Sequence, residues 1–326
     1  MNVLTWMWVP LLVFSVLAVL FARYLHNVQI LNIELRRAPQ PYSVYKQKRL
    51  DWINKYEPLW IGKQTEQSAI SLPSIAFVGV AKDIRNPLQA NLEYLLEIGQ
   101  SHCKDYHFIV VENDSMDGTT EYLQRMQSNK FTALTFREHK MGAGSHGEHN
   151  LERFRIMSHW RNKYMEELRK PKYNHIEYVC VTDLDHYVGT TVSSLQNCFS
   201  KTDWDMMSAN GINAYERTAE IRMILHFTNN YFYDPLPYRN KAFERVKRHS
   251  PVKTNVASLD VPYFDPKSTE FVPITSAFGG MTLYRKEALL SSDYNGYDCE
   301  HICLHDSMIK QGYDKMYLNP RFMLWH

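Results

Sequence analysis

Short apolar runs recur along the chain from residue 74 onward, separated by polar or helix-spaced segments. Ser74–Ala81 (SIAFVGVA), Tyr106–Glu112 (YHFIVVE), Phe131–Glu138 (FTALTFRE) and His175–Thr182 (HIEYVCVT) are short and rich in β-branched or aromatic residues, so each predicts a strand. Asn86 and Pro87 supply an N-cap and a first-turn proline for a helix reaching about Ile98. A second helix follows Gly118. Leu151, Phe154, Met157, Trp160, Tyr164 and Leu168 recur at helical spacing and predict a long helix over 150–169. Strands alternating with helices predict βαβ units, an α/β domain with a mainly parallel sheet flanked by helices. Ligands of such sheets bind beyond the carboxyl ends of the strands. Glu112-Asn113-Asp114 and Asp183-Leu184-Asp185 both fall there.

The first 22 residues carry no charged side chain. A helix of that length spans about 30 Å, the hydrocarbon thickness of a bilayer. Trp6 and Trp8 suit one interface and Arg23 the other. A cleaved signal peptide would have a basic start and small residues before the cut. The expectation is therefore an uncleaved single-pass transmembrane helix over 1–23. Residues 24–72, with RRAPQPYSVYKQKR at their centre, read as a stem or linker. Residues 73–326 read as the globular domain, with a nucleotide-binding half over 73–189 and an acceptor half over 190–326. Arg23, Arg36 and Arg37 all follow the span, which by the positive-inside rule places that domain in the cytosol. The sequon Asn113-Asp114-Ser115 lies in the candidate site and says nothing of a lumen.

Bulk composition narrows the function classes. Hydrophobic residues make up 44% of 326, enough for a substantial core, and the formal net charge of +2 gives no electrostatic case for nucleic acid. The five cysteines are scattered and do not form a disulfide framework. Cys299 and Cys303, with His301 and His305, lack a second ligand pair at zinc-finger spacing.

The chemistry concentrates at the predicted strand ends. Two like charges as close as Asp183 and Asp185 raise each other's pKa unless a cation lies between them. A hard divalent ion, Mn²⁺ or Mg²⁺, prefers such oxygen ligands and can bridge phosphates. It would neutralise charge on a leaving diphosphate. Glu112 or Asp114 is placed to accept hydrogen bonds from a nucleotide's base or ribose. Arg85, after the first strand, and Arg161 are the phosphate candidates. Gly279 and Gly280 in AFGGM permit close backbone approach. DCEHICLH predicts a helix start, with Asp298, His301 and His305 near one face. Glu300 points elsewhere on that turn. Glu300 and Asp298 are the candidate catalytic carboxylates, Glu300 as the acceptor's general base if the mechanism inverts. A retaining mechanism needs no such base, and the residues leave that choice open. The basic run Tyr238–Lys253 reads as a solvated face, or as a loop that clamps a diphosphate or an acidic acceptor.

The order strand, VVENDSMDGT, long helix with Arg161-Asn162, then strand-TDLDH resembles the GT-A glycosyltransferases. The resemblance covers about Ser74 to the carboxyl terminus. It implies a Rossmann-like GT-A fold in which the DxD acids, Asp183 and Asp185, hold the metal on a nucleotide-sugar diphosphate. It further implies that Gly279 and Gly280 touch the donor sugar and that a late histidine, His305 or His326, adds a metal ligand. SAFGGMTLYRKEAL, YDCEHICLH and YLNPRFMLWH also resemble the fungal capsule-associated mannosyltransferases, the CAP59-like family. That implies a GDP-mannose donor first and a UDP-sugar second, a glycan acceptor, and a domain facing the Golgi or ER lumen, against the charge rule. Two other readings stay open. DLDHYVGT resembles the motif of haloacid-dehalogenase phosphatases, with Asp183 as nucleophile, though Tyr187-Val188 stands where Gly-Thr is expected. A non-catalytic sugar-binding protein on a transferase fold is the other.

Overall fold

The computed structural model describes residues 41–60, 71–138, 151–186, 189–212, 232, 234, 236–244 and 264–325. The chain divides into two units, Met1–Val44 and Tyr45–His326, and only residues 41–44 of the first are described. The apolar run expected to span a membrane lies outside the described residues, and no described helix is long and apolar enough to cross one.

In chain order the elements are α1 (Tyr42–Trp60), β1 (Leu72–Ala81), α2 (Arg85–His102), β2 (Cys103–Asn113), α3 (Thr119–Met126), β3 (Phe131–Phe136) and α4 (Leu151–Leu168). There follow β4 (Tyr178–Thr182), α5 (Val192–Cys198), β5 (Met206–Ile212), β6 (Arg239–Asn240), β7 (Val272–Ser276), β8 (Met281–Arg285), α6 (Lys286–Leu290), α7 (Glu300–Lys310) and β9 (Met316–Trp325). The strands form one sheet in the order β3-β2-β1-β4-β8-β5-β9-β7-β6.

The four apolar runs become β1 to β4, and they pair in parallel as expected. Beyond β4 the sheet is mixed, not mainly parallel. β8 lies antiparallel between β4 and β5, and β7 antiparallel beside β9. β7 and β8 run in the same direction, so the chain enters β8 already antiparallel to β4. The turn at Gly279 and Gly280, both at positive φ, delivers Met281 opposite Thr182, so β8 starts where β4 ends.

The alternation of side chains along the strands builds two core layers. Ala76, Val78, Ile109, Val111, Val179 and Val181 face Trp160, Tyr164, Met165 and Leu168 of α4 and Leu304 and Met308 of α7. Ile75, Phe77, Phe108, Val110 and Cys180 face Leu88, Leu92, Leu95 and Ile98 of α2 and Leu123 of α3. Gly79 lets β1 and β4 close up, since a Cβ there would stand 2.6 Å from the Thr182 carbonyl oxygen. Part of the segment expected to be linker is the helix α1. Its Arg49 is buried and donates to the Ala90 carbonyl at 2.5 Å.

A buried polar cluster ties the far end of α4 to the sheet. Glu167 is 4% exposed and accepts from Lys170, from Lys172 at 2.8 Å and from the Tyr173 hydroxyl at 3.1 Å. The Tyr173 hydroxyl bonds Thr132 at 3.0 Å, and Thr132 bonds His107 at 2.9 Å. Burial pushes the Glu167 carboxyl up, but these donors outweigh it and hold the pKa below its ordinary value of 4.5. A carboxyl depressed by folding adds stability above its unfolded pKa and loses it as pH falls through the folded one. Glu167→Gln should therefore cost about 1–2 kcal/mol near neutrality, the lysines being half exposed and their contribution screened. Its melting temperature should also fall less than the wild type's on titration below pH 4.5. Parallel acid melting curves for the two proteins would remove this role from Glu167.

Candidate active site

The carboxyl ends of β1, β2 and β4 share one edge of the sheet, where Ala81 pairs with Glu112 and Val78 with Val181. Two loops leave this edge side by side. After β1, Asp83 adopts φ 51, and after β2, Asp114 adopts φ 54. Aspartate tolerates this left-handed region better than most residues. The loops are laced together. The Met116 N–H donates to Asp83 at 2.7 Å, and the Asp83 N–H donates to the Ser115 hydroxyl at 3.0 Å. Asp117 accepts from the Arg85 N–H at 2.8 Å and from the Thr119 N–H at 3.0 Å.

Each predicted nucleotide residue has a definite place here. Glu112 is 1% exposed. One of its oxygens accepts from the Ser115 N–H at 2.7 Å, and the other is buried with no hydrogen-bond partner. Asp114 caps the edge through its N–H to the Phe136 carbonyl at 3.3 Å. The Arg85 guanidinium lies 4.0 Å from the centre of the Tyr122 ring and donates to Gln89 at 2.6 Å. Asn113 of the sequon is 5% exposed, with its side-chain oxygen taken by the Glu138 N–H.

The Asp183–Asp185 loop is fixed at its base. The Asp183 N–H donates to the Gly280 carbonyl at 2.9 Å, which ties it to the glycine turn. That turn has no room for a side chain. A Cβ on Gly279, at φ +61, would stand 2.3 Å from the Ala209 carbonyl oxygen. Asp185 is exposed, whereas the Asp183 side chain is 29% exposed and leans on α4.

Arg161 organises what lies between. It is 2% exposed, with Nη2 at 3.5 Å from Asp183 and Nε at 3.3 Å from Glu300. Its guanidinium lies 5.2 Å from the Phe278 ring centre and 5.8 Å from that of Tyr294. The next residue, Asn162, holds Tyr294 by a reciprocal backbone pair at 3.0 and 2.9 Å. Burial works against the Arg161 charge, but Tyr164, Glu300, Tyr294 and Asp183 outweigh it and raise its pKa well above the ordinary value. Burial pushes the Asp183 carboxyl up, Arg161 pulls it back, and Asp185 and Glu300 push it up further. Arg161 is thus engaged with two carboxylates, a different setting from the free phosphate ligand expected of it. Its Nη1 is buried without a hydrogen-bond partner.

The remaining predicted residues separate. Glu300, at the start of α7, joins the Arg161 cluster. Asp298 does not. It pairs with Arg239 at 3.6 Å and accepts from the Cys299 N–H at 2.7 Å. His305 is fully buried, and its two ring nitrogens bond Ser276 and Tyr284, each at 2.8 Å. Burial, then the Arg239 charge, lowers its pKa to about 3. In this arrangement both nitrogens are committed to protein hydroxyls, so His305 is a core histidine and not an available metal ligand. His326 lies outside the described residues, as does most of the basic run, 245–253. Among the described residues no group of three or more His, Cys, Asp or Glu is arranged to hold a metal ion.

Two further residues lie against the Arg161 cluster: Asp234, which escaped the sequence reading, and His301, which was noted there only for its helix face and its place beside two cysteines. Asp234 accepts the Gly279 N–H, and burial, then Asp183 and Glu300, pushes its pKa up to about 8. The available signal was an acid within the aromatic stretch NYFYDPLPY. His301 is 3% exposed and stacks on Phe278 at 3.9 Å between ring centres, its ring nitrogens without a hydrogen bond and Nε2 at 3.9 Å from the Glu300 carboxylate. Two hollows of about 420 and 390 Å³ lie elsewhere, around Glu177 and Tyr178 at the start of β4, away from the carboxylates.

No protein-family model matches the chain, and no curated protein matches it. Solved structures do. A mannosyltransferase, PcManGT from Pyrobaculum calidifontis in complex with GDP-Man and Mn²⁺, is 13% identical, with a TM-score of 0.43 over 87% of this chain and 64% of that one. TarS 1–349 from S. aureus is 12% identical, with a TM-score of 0.40 over 77% of this chain and 60% of that one. Glucosyl-3-phosphoglycerate synthase from Mycobacterium tuberculosis, in complex with Mn²⁺, UDP and phosphoglyceric acid, is 12% identical, with a TM-score of 0.37 over 75% and 67%. The chain spans less than two thirds of the length of the first two structures. Likenesses of this size assign neither a family nor an activity.

The glycine turn yields a direct test. Gly279→Ala adds a Cβ against a backbone oxygen at a left-handed position. It should cost about 2 kcal/mol or more. An alanine protein that melts with the wild type would show that the turn is not the constraint described.

Proposed function

We propose that the chain is a GT-A-type glycosyltransferase that uses a nucleotide-sugar donor and a divalent cation. One observation carries the proposal. Two carboxylate-bearing strand-end loops and a buried Arg161–Glu300 pair converge on the carboxyl edge of the parallel run β3-β2-β1-β4. Crevices beyond such edges are where sheets of this kind bind ligands. Glu112, with one unpartnered oxygen, and Asp114 are the residues for the nucleoside.

Asp183 and Asp185 would hold Mn²⁺ or Mg²⁺. The donor set fits a hard cation that takes one or two protein carboxylates and completes its shell with phosphate oxygens and water. When bound, such an ion neutralises charge on the diphosphate leaving group. The rest falls to the protein. Arg161 holds Asp183 and Glu300 in register. The sequence resemblance puts the donor sugar against the Gly279–Gly280 backbone, a turn held closed on Ala209. Glu300 takes the proton of the acceptor hydroxyl if the reaction inverts configuration, a step worth about 10²–10⁴-fold. Mannose as the sugar, GDP as the nucleotide, a glycan as acceptor and an amino-terminal membrane anchor belong to the same reading, supported by the sequence resemblance.

Thermal melting of the full chain with UDP, GDP or CMP, each with and without Mn²⁺, tests the class. Nucleotide at about 100 times its Kd stabilises by about 2.7 kcal/mol. A shift with one nucleotide, only when Mn²⁺ is present, is expected. No shift with any of the three, together with stabilisation by a phosphate mimic alone, would replace the transferase by the phosphatase reading.

Two substitutions then assign roles. Asp185 is exposed, so Asp185→Asn should leave unliganded stability within about 0.5 kcal/mol while abolishing the Mn²⁺-dependent shift. An undiminished shift would sink the metal assignment. Glu300→Gln should keep the nucleotide shift and lose at least about 100-fold in transfer rate. Transfer at the wild-type rate would leave the base role untenable.

A further inference from the structure

The loop that carries Asp183 and Asp185 is gripped from behind by residues outside the carboxylate cluster. Asn91, on α2, is 2% exposed. Its side-chain amide donates to the Leu184 carbonyl at 2.9 Å and to the His186 carbonyl at 3.1 Å. An amide carries two N–H donors, so both bonds form at once and bracket Asp185 on either side. The Asn91 oxygen in turn accepts from Nη2 of Arg49, while Nη1 of Arg49 donates to the Ala90 carbonyl at 2.5 Å. Arg49 is 4% exposed and packs over the Tyr94 ring at 4.8 Å. Where the chain returns from the loop, Gly189 takes φ +87, and a Cβ there would stand 3.6 Å from Arg49 Nη2.

We infer that Arg49 and Asn91 are positioning residues, through which helix α1 sets the geometry of the Asp183–Asp185 loop and hence its affinity for a divalent cation on a nucleoside diphosphate. The inference rests on the reading of that loop as the metal and diphosphate site. The physical reason is specific. Asp185 is exposed, while Leu184 is buried in the core and the buried His186 ring bonds the Thr182 hydroxyl at 2.9 Å, and the Asn91 amide adds a hold on the backbone carbonyls of both neighbours. Those side-chain anchors fix the loop on the sheet, and the Asn91 amide fixes the peptide orientation on either side of Asp185, which sets where its carboxylate points. Residues that orient metal ligands in this way typically carry about 10- to 100-fold in metal affinity. A charged side chain buried in a helix that precedes the first strand has a reason to be there if it fixes Asn91.

Asn91→Asp separates the grip from the packing. The carboxylate has the amide's shape and still accepts from Arg49, but it cannot donate to the two carbonyls. In the full chain, Mn²⁺ binding is read by electron paramagnetic resonance in the presence of GDP and of UDP. Hydrogen exchange is read at the amides of residues 184–186. Asn91→Asp should weaken Mn²⁺ binding about 10- to 100-fold and speed exchange in the loop. Arg49→Met should act in the same direction, and Arg49→Lys should restore most of the loss. Glu167→Gln, which loosens the opposite end of the domain, should change neither readout.

Mn²⁺ binding within twofold of wild type in both Asn91→Asp and Arg49→Met would overturn the inference, and so would equal loss in Glu167→Gln. A wild-type protein that binds Mn²⁺ with neither nucleotide would overturn the functional reading instead. Loop exchange still decides the grip in that case, and unchanged rates in Asn91→Asp would overturn it. Arg49→Met and Arg49→Lys carry the test if Asn91→Asp fails to fold.

Discussion

A buried guanidinium between two carboxylates is the constraint on which this site depends. Arg161 reaches Asp183 at the tip of β4 and Glu300 at the start of α7, two points 117 positions apart in sequence. Desolvating three charges costs several kcal/mol per ion, and the pairing repays it only if the geometry is good. The protein invests in that geometry. Phe278 and Tyr294 flank the guanidinium, and Asn162 locks Tyr294 to the same helix turn. Removing one partner of such a group strands the others and costs about 3–5 kcal/mol, although replacing the whole set by apolar residues can be neutral. The cluster therefore makes little sense as a device for stability. It makes sense as a way to hold acidic groups from two halves of the chain at fixed separation.

The sheet topology explains why those halves meet. β1 to β4 deliver their ends to one edge, which the hydrophobic pattern made legible. The same pattern could not show β8. An apolar run reads the same in either direction, so MTLYR gave no sign that it runs against β4. The nearest local mark was the preceding pair of glycines, whose positive φ values make the turn that leads into β8 at the edge of the site. Their resemblance-based role was contact with a sugar. Their structural role is closure, with the Gly280 carbonyl taking the Asp183 N–H and the Gly279 N–H serving Asp234.

The site residues divide along a similar line. Glu112, Asp114, Asp183 and Asp185 were legible because acids at the ends of apolar strands break a strong local pattern. Glu300 was legible as a helix-start acid. Asp298 and His305 share that helix spacing, but spacing sets direction from the axis and not what lies opposite. Arg239 takes Asp298, while Ser276 and Tyr284 take His305. Asp234 and Asn91 were invisible for a complementary reason. Neither sits at a patterned boundary, and each acts by hydrogen bonds to backbone brought near only by the fold.

Arg49 carries the same logic furthest. Its segment is polar, lacks any amphipathic stripe and precedes the first strand, so composition alone reads it as a tether. Yet an arginine is rarely buried without partners, and this one ends on Asn91, two bonds behind the Asp183–Asp185 loop. Three layers are thus ordered by chemistry: carboxylates at the sheet edge, an amide that bonds their backbone, and a guanidinium that bonds the amide. The outermost layer is the part least visible in sequence, because its residue type reports only that a partner must exist and not which one.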